Sequence, residues 1–248
     1  MFMRTWLKTL LTYTLLLIIM PCFLIPCFFL ALLPRSIRYD NRLYFFLTSW
    51  MSRLMMWATF IDVKVTGLQH IPQYPHTPAI IIGNHMSAFD IPLLEMIIGS
   101  YPRVWMSKVG YLKVPLMAFL LRRMHVCVDK TSGKDARSAL ISMLGLIKNS
   151  NRHAVLFPEG TRHADGKVHD FFAGFALLAQ KLNRPVVPVV ITGMHKIFPK
   201  KSLLIDSSAC TVTIHVGKPM YCSENMETAD FVAQVQRYYQ TELEKIGA

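Results

Sequence analysis

Apolar and polar positions divide the chain into two textures. From Thr9 to Leu33 the residues are uncharged and dominated by Leu, Ile and Phe, a run long enough to cross a bilayer as a helix. Pro21 and Pro26 interrupt its middle, leaving halves of roughly 12 residues, about 18 Å each as helix, that reach only partway. Arg4 and Lys8 precede the run, and Arg35, Arg38 and Arg42 follow it. Positive charge on both flanks gives a single span no orientation. It suits a re-entrant helical hairpin with both ends on the cytoplasmic face; a kinked single span is the alternative. A cleaved signal peptide fits poorly, because no small-residue cleavage site ends the run. A second apolar segment, Leu43 to Phe60, carries Trp50, Arg53 and Trp57, which suits an interfacial helix; a core helix is the competing reading.

From Asp62 onward short apolar runs alternate with helical patterns. The strands expected are 63–66, 79–83, 103–106, 126–128, 154–157, 186–191 and 211–216. Ala136, Ala139, Leu140, Met143 and Ile147 fall at helical i, i+3, i+4 spacing. Further helices are expected after Gly174 and over about 227–245. Such alternation predicts an α/β fold, a mostly parallel central sheet flanked by helices. The division expected is an N-terminal membrane-anchoring segment, residues 1–61, and a catalytic α/β domain, residues 62–248.

Composition sharpens this picture. Apolar residues make up 52% of the 248 and charged residues only 17%, with a net charge of +12, so the partners expected are anionic: a membrane surface or an acidic carrier. No basic-aromatic stripe of the kind single-strand binders use is present, which argues against nucleic acid. Cys22, Cys27, Cys127, Cys210 and Cys222 are odd in number and show no C-x-x-C spacing; they read as small apolar residues in a reducing compartment, with no metal and no cofactor implied.

The chemistry is concentrated where strands end. Asn84-His85-Met86-Ser87-Ala88-Phe89-Asp90 follows the buried run Ala79–Gly83. Five residues put Asp90 roughly 140° from His85 on a regular helix, so the two meet only if the chain turns between them. A histidine held by a carboxylate has a fixed tautomer and a second nitrogen ready for a proton. Without an attached nucleophile, the pair suits a reaction whose substrate supplies the hydroxyl. The plainer reading makes Asp90 the N-cap of a helix starting at Ile91-Pro92.

Phe157-Pro158-Glu159-Gly160-Thr161-Arg162 also follows a strand, Ala154-Val155-Leu156. Ligands of parallel sheets bind off the carboxyl ends of strands, so this loop and 84–90 are expected on one edge. Gly160 permits a tight turn, and Arg162 offers a planar fork to a phosphate. Glu159 can accept from substrate hydroxyls or hold Arg162; an ordinary surface turn is the alternative.

Together the Asn84-His85-x4-Asp90 and Phe157–Arg162 blocks resemble the first and third signature blocks of the glycerolipid acyltransferases, and more closely those of bacterial 1-acyl-glycerol-3-phosphate acyltransferases. Lys108-x-x-Tyr111-Leu112-x-Val114-Pro115 with Val126–Lys130 resembles the second block, and Val186–Val190 the fourth. The resemblance covers roughly residues 62–220. Departures are His163 where serine is usual, Lys130 where arginine is usual, a missing glycine near Met117-Ala118-Phe119, and Phe172-Ala173 in place of basic residues inside Phe171-x-x-Gly174.

The resemblance implies transfer of a fatty acyl group from acyl-CoA or acyl carrier protein to a lysolipid hydroxyl, forming phosphatidate. It implies His85 as general base, oriented by Asp90, with no acyl-enzyme. Glu159, Gly160, Thr161, Arg162 and, more weakly, Lys108 would position the glycerol phosphate. Backbone N–H groups of 84–90 or a helix start are the oxyanion donors to look for. It implies a bacterial inner membrane location with the site facing the cytoplasm, and membrane lipids as partners. The competing readings are another acceptor, a lysophospholipid or lyso-ornithine lipid, and a non-catalytic membrane-binding protein.

Overall fold

The apolar runs form strands Val63–Thr66 (β1), Ile80–Gly83 (β2), Arg103–Lys108 (β3), Val126–Val128 (β4), His153–Leu156 (β5), Val186–Thr192 (β6) and Val212–Val216 (β7). The computed structural model describes residues 2–72, 78–108, 114–128, 133–163, 165–198, 203–206 and 211–246. The strands make one sheet in the order β1-β7-β6-β2-β5-β3-β4. Every described pairing between strands is parallel except β6 with β7, as the alternating pattern predicts.

Helices are Phe2–Leu32 (α1), Arg35–Arg38 (α2), Arg42–Ala58 (α3), Asp90–Ile98 (α4), Pro115–Met124 (α5), Gly133–Ile147 (α6), Gly174–Leu182 (α7), Met194–Ile197 (α8) and Thr228–Ile246 (α9). Successive strand residues point to opposite faces, and both faces are covered. Ile80 and Ile82 pack with Met143 of α6, Phe175 of α7 and Phe231 of α9. Ile81 packs on the other side with Leu93 and Leu94 of α4, Met56 of α3 and Leu16 of α1. This double burial is why β2 and β6 read as unbroken apolar runs.

The expected break in the N-terminal run does not occur: α1 continues through Pro21 and Pro26 as one helix, so the hairpin is replaced. Each proline removes one helical hydrogen bond. The opposing term is a stripe of Leu24, Cys27 and Ala31 that packs on Tyr44 and Phe45 of α3 and Leu120 and Met124 of α5. Polar contacts tie down both ends. Thr12 Oγ1 donates to the Ala58 carbonyl (2.8 Å), Tyr13 donates to Leu203 (2.9 Å), and Arg123 Nε donates to Ala31 (3.0 Å). Thr5–Leu32 is long and apolar enough to cross a membrane. Its outward face carries exposed Leu10, Leu17, Ile25 and Phe29, and α3 adds exposed Phe46, Trp50 and Trp57.

Arg103, fully buried at the start of β3, locks this assembly. Its guanidinium donates to both carboxylate oxygens of Glu95 on α4, to the carbonyls of Gly99 and Tyr101, and to Thr48 of α3. Breaking one partner of a buried pair leaves the other charge stranded, a cost of about 3–5 kcal/mol. Arg103→Met is therefore expected to lower the thermal midpoint by on the order of 10 °C, with Glu95→Leu added to it recovering part of the loss. Thermal unfolding in detergent reads both, and an unchanged midpoint in the single variant would contradict the assignment.

Candidate active site

β2 and β5 are neighbouring parallel strands, so the loops after them leave the sheet side by side at its carboxyl edge. The backbone turns between His85 and Asp90, and the two meet: His85 Nδ1 lies 2.9 Å from Asp90 Oδ2. The same oxygen accepts from the backbone N–H groups of Met86 and Ser87, each at 2.7 Å. Asp90 is thus not the N-cap of the plainer reading. It is the first residue of α4, and its carboxylate turns back into the loop instead of forward into the helix. With Nδ1–H donated to Asp90, the other ring nitrogen of His85 is the acceptor.

The His85 ring stacks on Phe157, centroids 3.9 Å apart at 9°. Beneath it Gly83 leaves room for this packing: a Cβ there would lie 3.0 Å from Leu94 and 3.3 Å from Phe157. Asn84 fixes the loop from the other side, its amide exchanging hydrogen bonds with both the carbonyl (2.8 Å) and the N–H (2.7 Å) of Ile191 in β6. The hydroxyl of Tyr239 in α9 donates to the Ile82 carbonyl (2.7 Å) and accepts from Val189 N–H (3.0 Å), joining β2 to β6 under the loop.

Glu159 lies behind the pair, not at its open side. It is buried; one carboxylate oxygen accepts from His85 N–H (2.8 Å) and the other from His169 N–H (3.4 Å). Burial pushes its pKa up to about 7, against the lowering effect of those two bonds. An acid whose folded pKa is raised binds more protons folded than unfolded, so its contribution is fully present below about 4.5 and is lost as pH rises through about 7. Glu159→Gln is expected to flatten the stability–pH curve across that window; thermal midpoints from pH 4 to 8 check it, and an identical slope in both proteins would refute it.

Gly160 takes φ +72°, closing the turn in which its N–H meets the Phe157 carbonyl at 3.0 Å. Thr161 is exposed and Arg162 half-buried on the same loop. Thr161 Oγ1 lies 2.8 Å from His163 Nε2, and His163 N–H donates to the His85 carbonyl (2.9 Å). Lys108 ends β3, but its side chain lies outside the described residues, as do Tyr111, Leu112, Asp129 and Lys130. Oxyanion donors are not to be sought among N–H groups 85, 86, 87, 89 and 90, all of which are already bonded within the protein. Among the described residues no group of three or more His, Cys, Asp or Glu is placed to hold a metal.

Sequence reasoning missed three further groups. His169 pairs with Asp165, Nε2 to Oδ2 2.8 Å. His195 of α8 lies near Asp90 and Asp165, close enough to affect its charge, and burial favours its neutral form. Phe157 was visible in the motif, but its stacking role was not.

Comparison with known proteins agrees with this fold. The acyltransferase family model matches residues 62–192. A 1-acyl-sn-glycerol-3-phosphate acyltransferase of Borreliella burgdorferi is 30% identical over 176 residues, covering 71% of this chain and 68% of that protein. A chloroplastic 1-acyl-sn-glycerol-3-phosphate acyltransferase of Brassica napus is 29% identical over 189 residues, 75% of this chain and 53% of that protein. The chain thus spans about half the length of this plant relative. The crystal structure of the 1-acyl-sn-glycerophosphate acyltransferase of Thermotoga maritima aligns with a TM-score of 0.76 at 25% identity, covering 99% of this chain and 97% of that one.

Proposed function

The chain belongs to the acyltransferase family, and from that premise we propose that it transfers a fatty acyl group from a thioester to the free hydroxyl of 1-acyl-glycerol-3-phosphate, forming phosphatidate. The observation that carries the reading is the His85–Asp90 contact at 2.9 Å at the carboxyl edge of the sheet, with no serine or cysteine nucleophile needed. His85 takes the acceptor's hydroxyl proton as the oxygen attacks the thioester carbonyl. Asp90 orients the ring and stabilises the imidazolium. When the tetrahedral intermediate collapses, the carbon–sulfur bond breaks and the imidazolium returns the proton to the thiolate. Glu159 acts as a positioning residue through the backbone of His85, and Arg162 takes the acceptor phosphate. The donor is acyl-CoA or acyl carrier protein, both anionic and both suited to a net charge of +12.

Residues 1–61 anchor the enzyme. The domain holds α1 from Thr12 to Ala31, so a perpendicular span would pull polar parts of the domain into hydrocarbon. In the proposed arrangement α1 and α3 lie along the cytoplasmic face of the membrane, burying their exposed apolar faces in one leaflet. The lysolipid then reaches His85 without leaving the interface.

Exposed Phe172 beside Pro158 favours a second reading, an acceptor with a less charged headgroup. A panel of lysolipids with purified protein and acyl-CoA or acyl carrier protein decides between them. Lysophosphatidate is expected to be preferred by about tenfold or more in kcat/KM, a difference of about 1.4 kcal/mol. Acylation of another lysolipid with lysophosphatidate ignored would refute the assignment.

A further inference from the structure

The segment after Arg162 builds a second histidine–carboxylate pair beside the first. His169 Nε2 meets Asp165 Oδ2 at 2.8 Å. The His169 ring stacks face to face on His163, centroids 3.7 Å apart at 18°. Each ring commits Nε2 to a protein partner, Asp165 for His169 and Thr161 for His163. Both are tied by backbone N–H groups to the machinery that holds His85: His163 to the His85 carbonyl at 2.9 Å, His169 to Glu159 at 3.4 Å. Yet the second pair is open where the first is closed. The His169 and Asp165 side chains are 37% and 47% exposed, against 10% and 0% for His85 and Asp90.

Asp165 holds Nε2 of His169, and among the described residues no partner is bonded to its Nδ1. Two charged rings stacked at this distance would repel each other, so an anion alongside favours the stack. Among the described residues the charges near it are these. Within 161–170, Arg162 and Lys167 are matched by Asp165 and Asp170, so the segment is neutral until an imidazole protonates. Glu159, His85 and Asp90 lie on its inner side. Beyond Gly166 stands His195, whose Nε2 would be 3.2 Å from a Cβ at that glycine, with Lys196 next to it.

We infer that the His163–His169 stack, held by Asp165, is a specificity element for the acceptor's phosphate, with His169 Nδ1–H donating to a phosphate oxygen. The inference rests on the lysophosphatidate reading and deepens it. It supplies at 163 and 169 the donors that Phe172-Ala173 does not. A phosphate monoester is mostly dianionic above a second pKa of about 6, so its oxygens are strong acceptors for the outward-facing ring N–H. His85 acts on the acceptor's hydroxyl and the stack on its phosphate, so the two roles separate in kcat and KM.

The test measures kcat and acceptor KM for the full chain in detergent, with 1-acyl-glycerol-3-phosphate and acyl-CoA. In His169→Gln, acceptor KM is expected to rise about tenfold, the size of one lost charge-assisted hydrogen bond, with a much smaller change in kcat; Asp165→Asn, which keeps an acceptor for Nε2, should raise KM less. A His169→Gln protein that keeps the wild-type KM, or one whose loss falls on kcat alone, overturns the inference. A second measurement needs neither variants nor turnover: the imidazole resonances of the wild-type protein titrated with glycerol 3-phosphate. His169 is expected to shift on binding; no response overturns the inference. If lysophosphatidate is acylated while these resonances stay silent, the substrate reading stands and the stack's role falls. If they respond while lysophosphatidate is not acylated, the phosphate site stands and the substrate reading falls.

Discussion

Replacing His85 with alanine is expected to lower acyl transfer by about 10²–10⁴-fold, the range that a positioned general base supplies. The loss should fall on kcat, with acceptor KM little changed, because in the proposed mechanism the imidazole acts on the hydroxyl proton while Arg162 and the 163–169 stack hold the phosphate. Folding should survive. The backbone of residue 85 keeps its bond to Glu159, Asp90 keeps its two N–H donors from Met86 and Ser87, and what disappears is the ring stacked on Phe157. Vesicle binding should also be unchanged, since α1 and α3 lie elsewhere. Thioester consumption, circular dichroism and vesicle co-sedimentation check the three claims together. A protein that keeps more than about a tenth of the wild-type rate would exclude His85 as the base.

The sequence carried the parts of this molecule that depend on neighbours along the chain. The strands were legible because β2 and β6 are buried on both faces, which leaves no polar position to blur the run. The His85–Asp90 pair was legible because one local turn makes it. What could not be read depends on packing between distant segments. Pro21 and Pro26 signal a break, and only the fit of α1 against α3 and α5 overrides it. Glu159 looks like a substrate ligand until the β2 and β5 loops are set side by side and its carboxylate turns out to face the His85 backbone, 74 residues earlier. The antiparallel β7 has the apolar alternation of any strand, and its direction is set by how the chain returns to the edge of β6. α5 is harder to read because its ten residues are fewer than the window over which apolar periodicity is judged, although Leu116, Leu120 and Met124 recur at i, i+4 spacing.

Asp90→Asn isolates what the carboxylate's charge contributes from what its shape contributes. Oδ2 accepts three hydrogen bonds, from His85 Nδ1 and from the N–H groups of Met86 and Ser87. An asparagine carbonyl placed at the same point can keep all three, so the loop should hold its shape and the midpoint should fall little. It cannot stabilise an imidazolium as an anion does. If the amide nitrogen faces His85 instead, the ring must present a lone pair at Nδ1 and carry its proton at Nε2, where the acceptor's proton has to go. Either way turnover should fall by about 10³–10⁴-fold, as when the carboxylate of a serine-hydrolase triad is neutralised. Asp90→Ala should be comparably inactive but also less stable, because it leaves two buried N–H groups without an acceptor, at about 1–3 kcal/mol each. The comparison of kcat with thermal midpoint across the two variants is the decisive reading. If Asn keeps near-wild-type turnover while Ala loses it, Asp90 is a brace for the loop and the charge has no part in the chemistry. If both lose turnover while only Ala loses stability, the electrostatic role is established separately from the structural one.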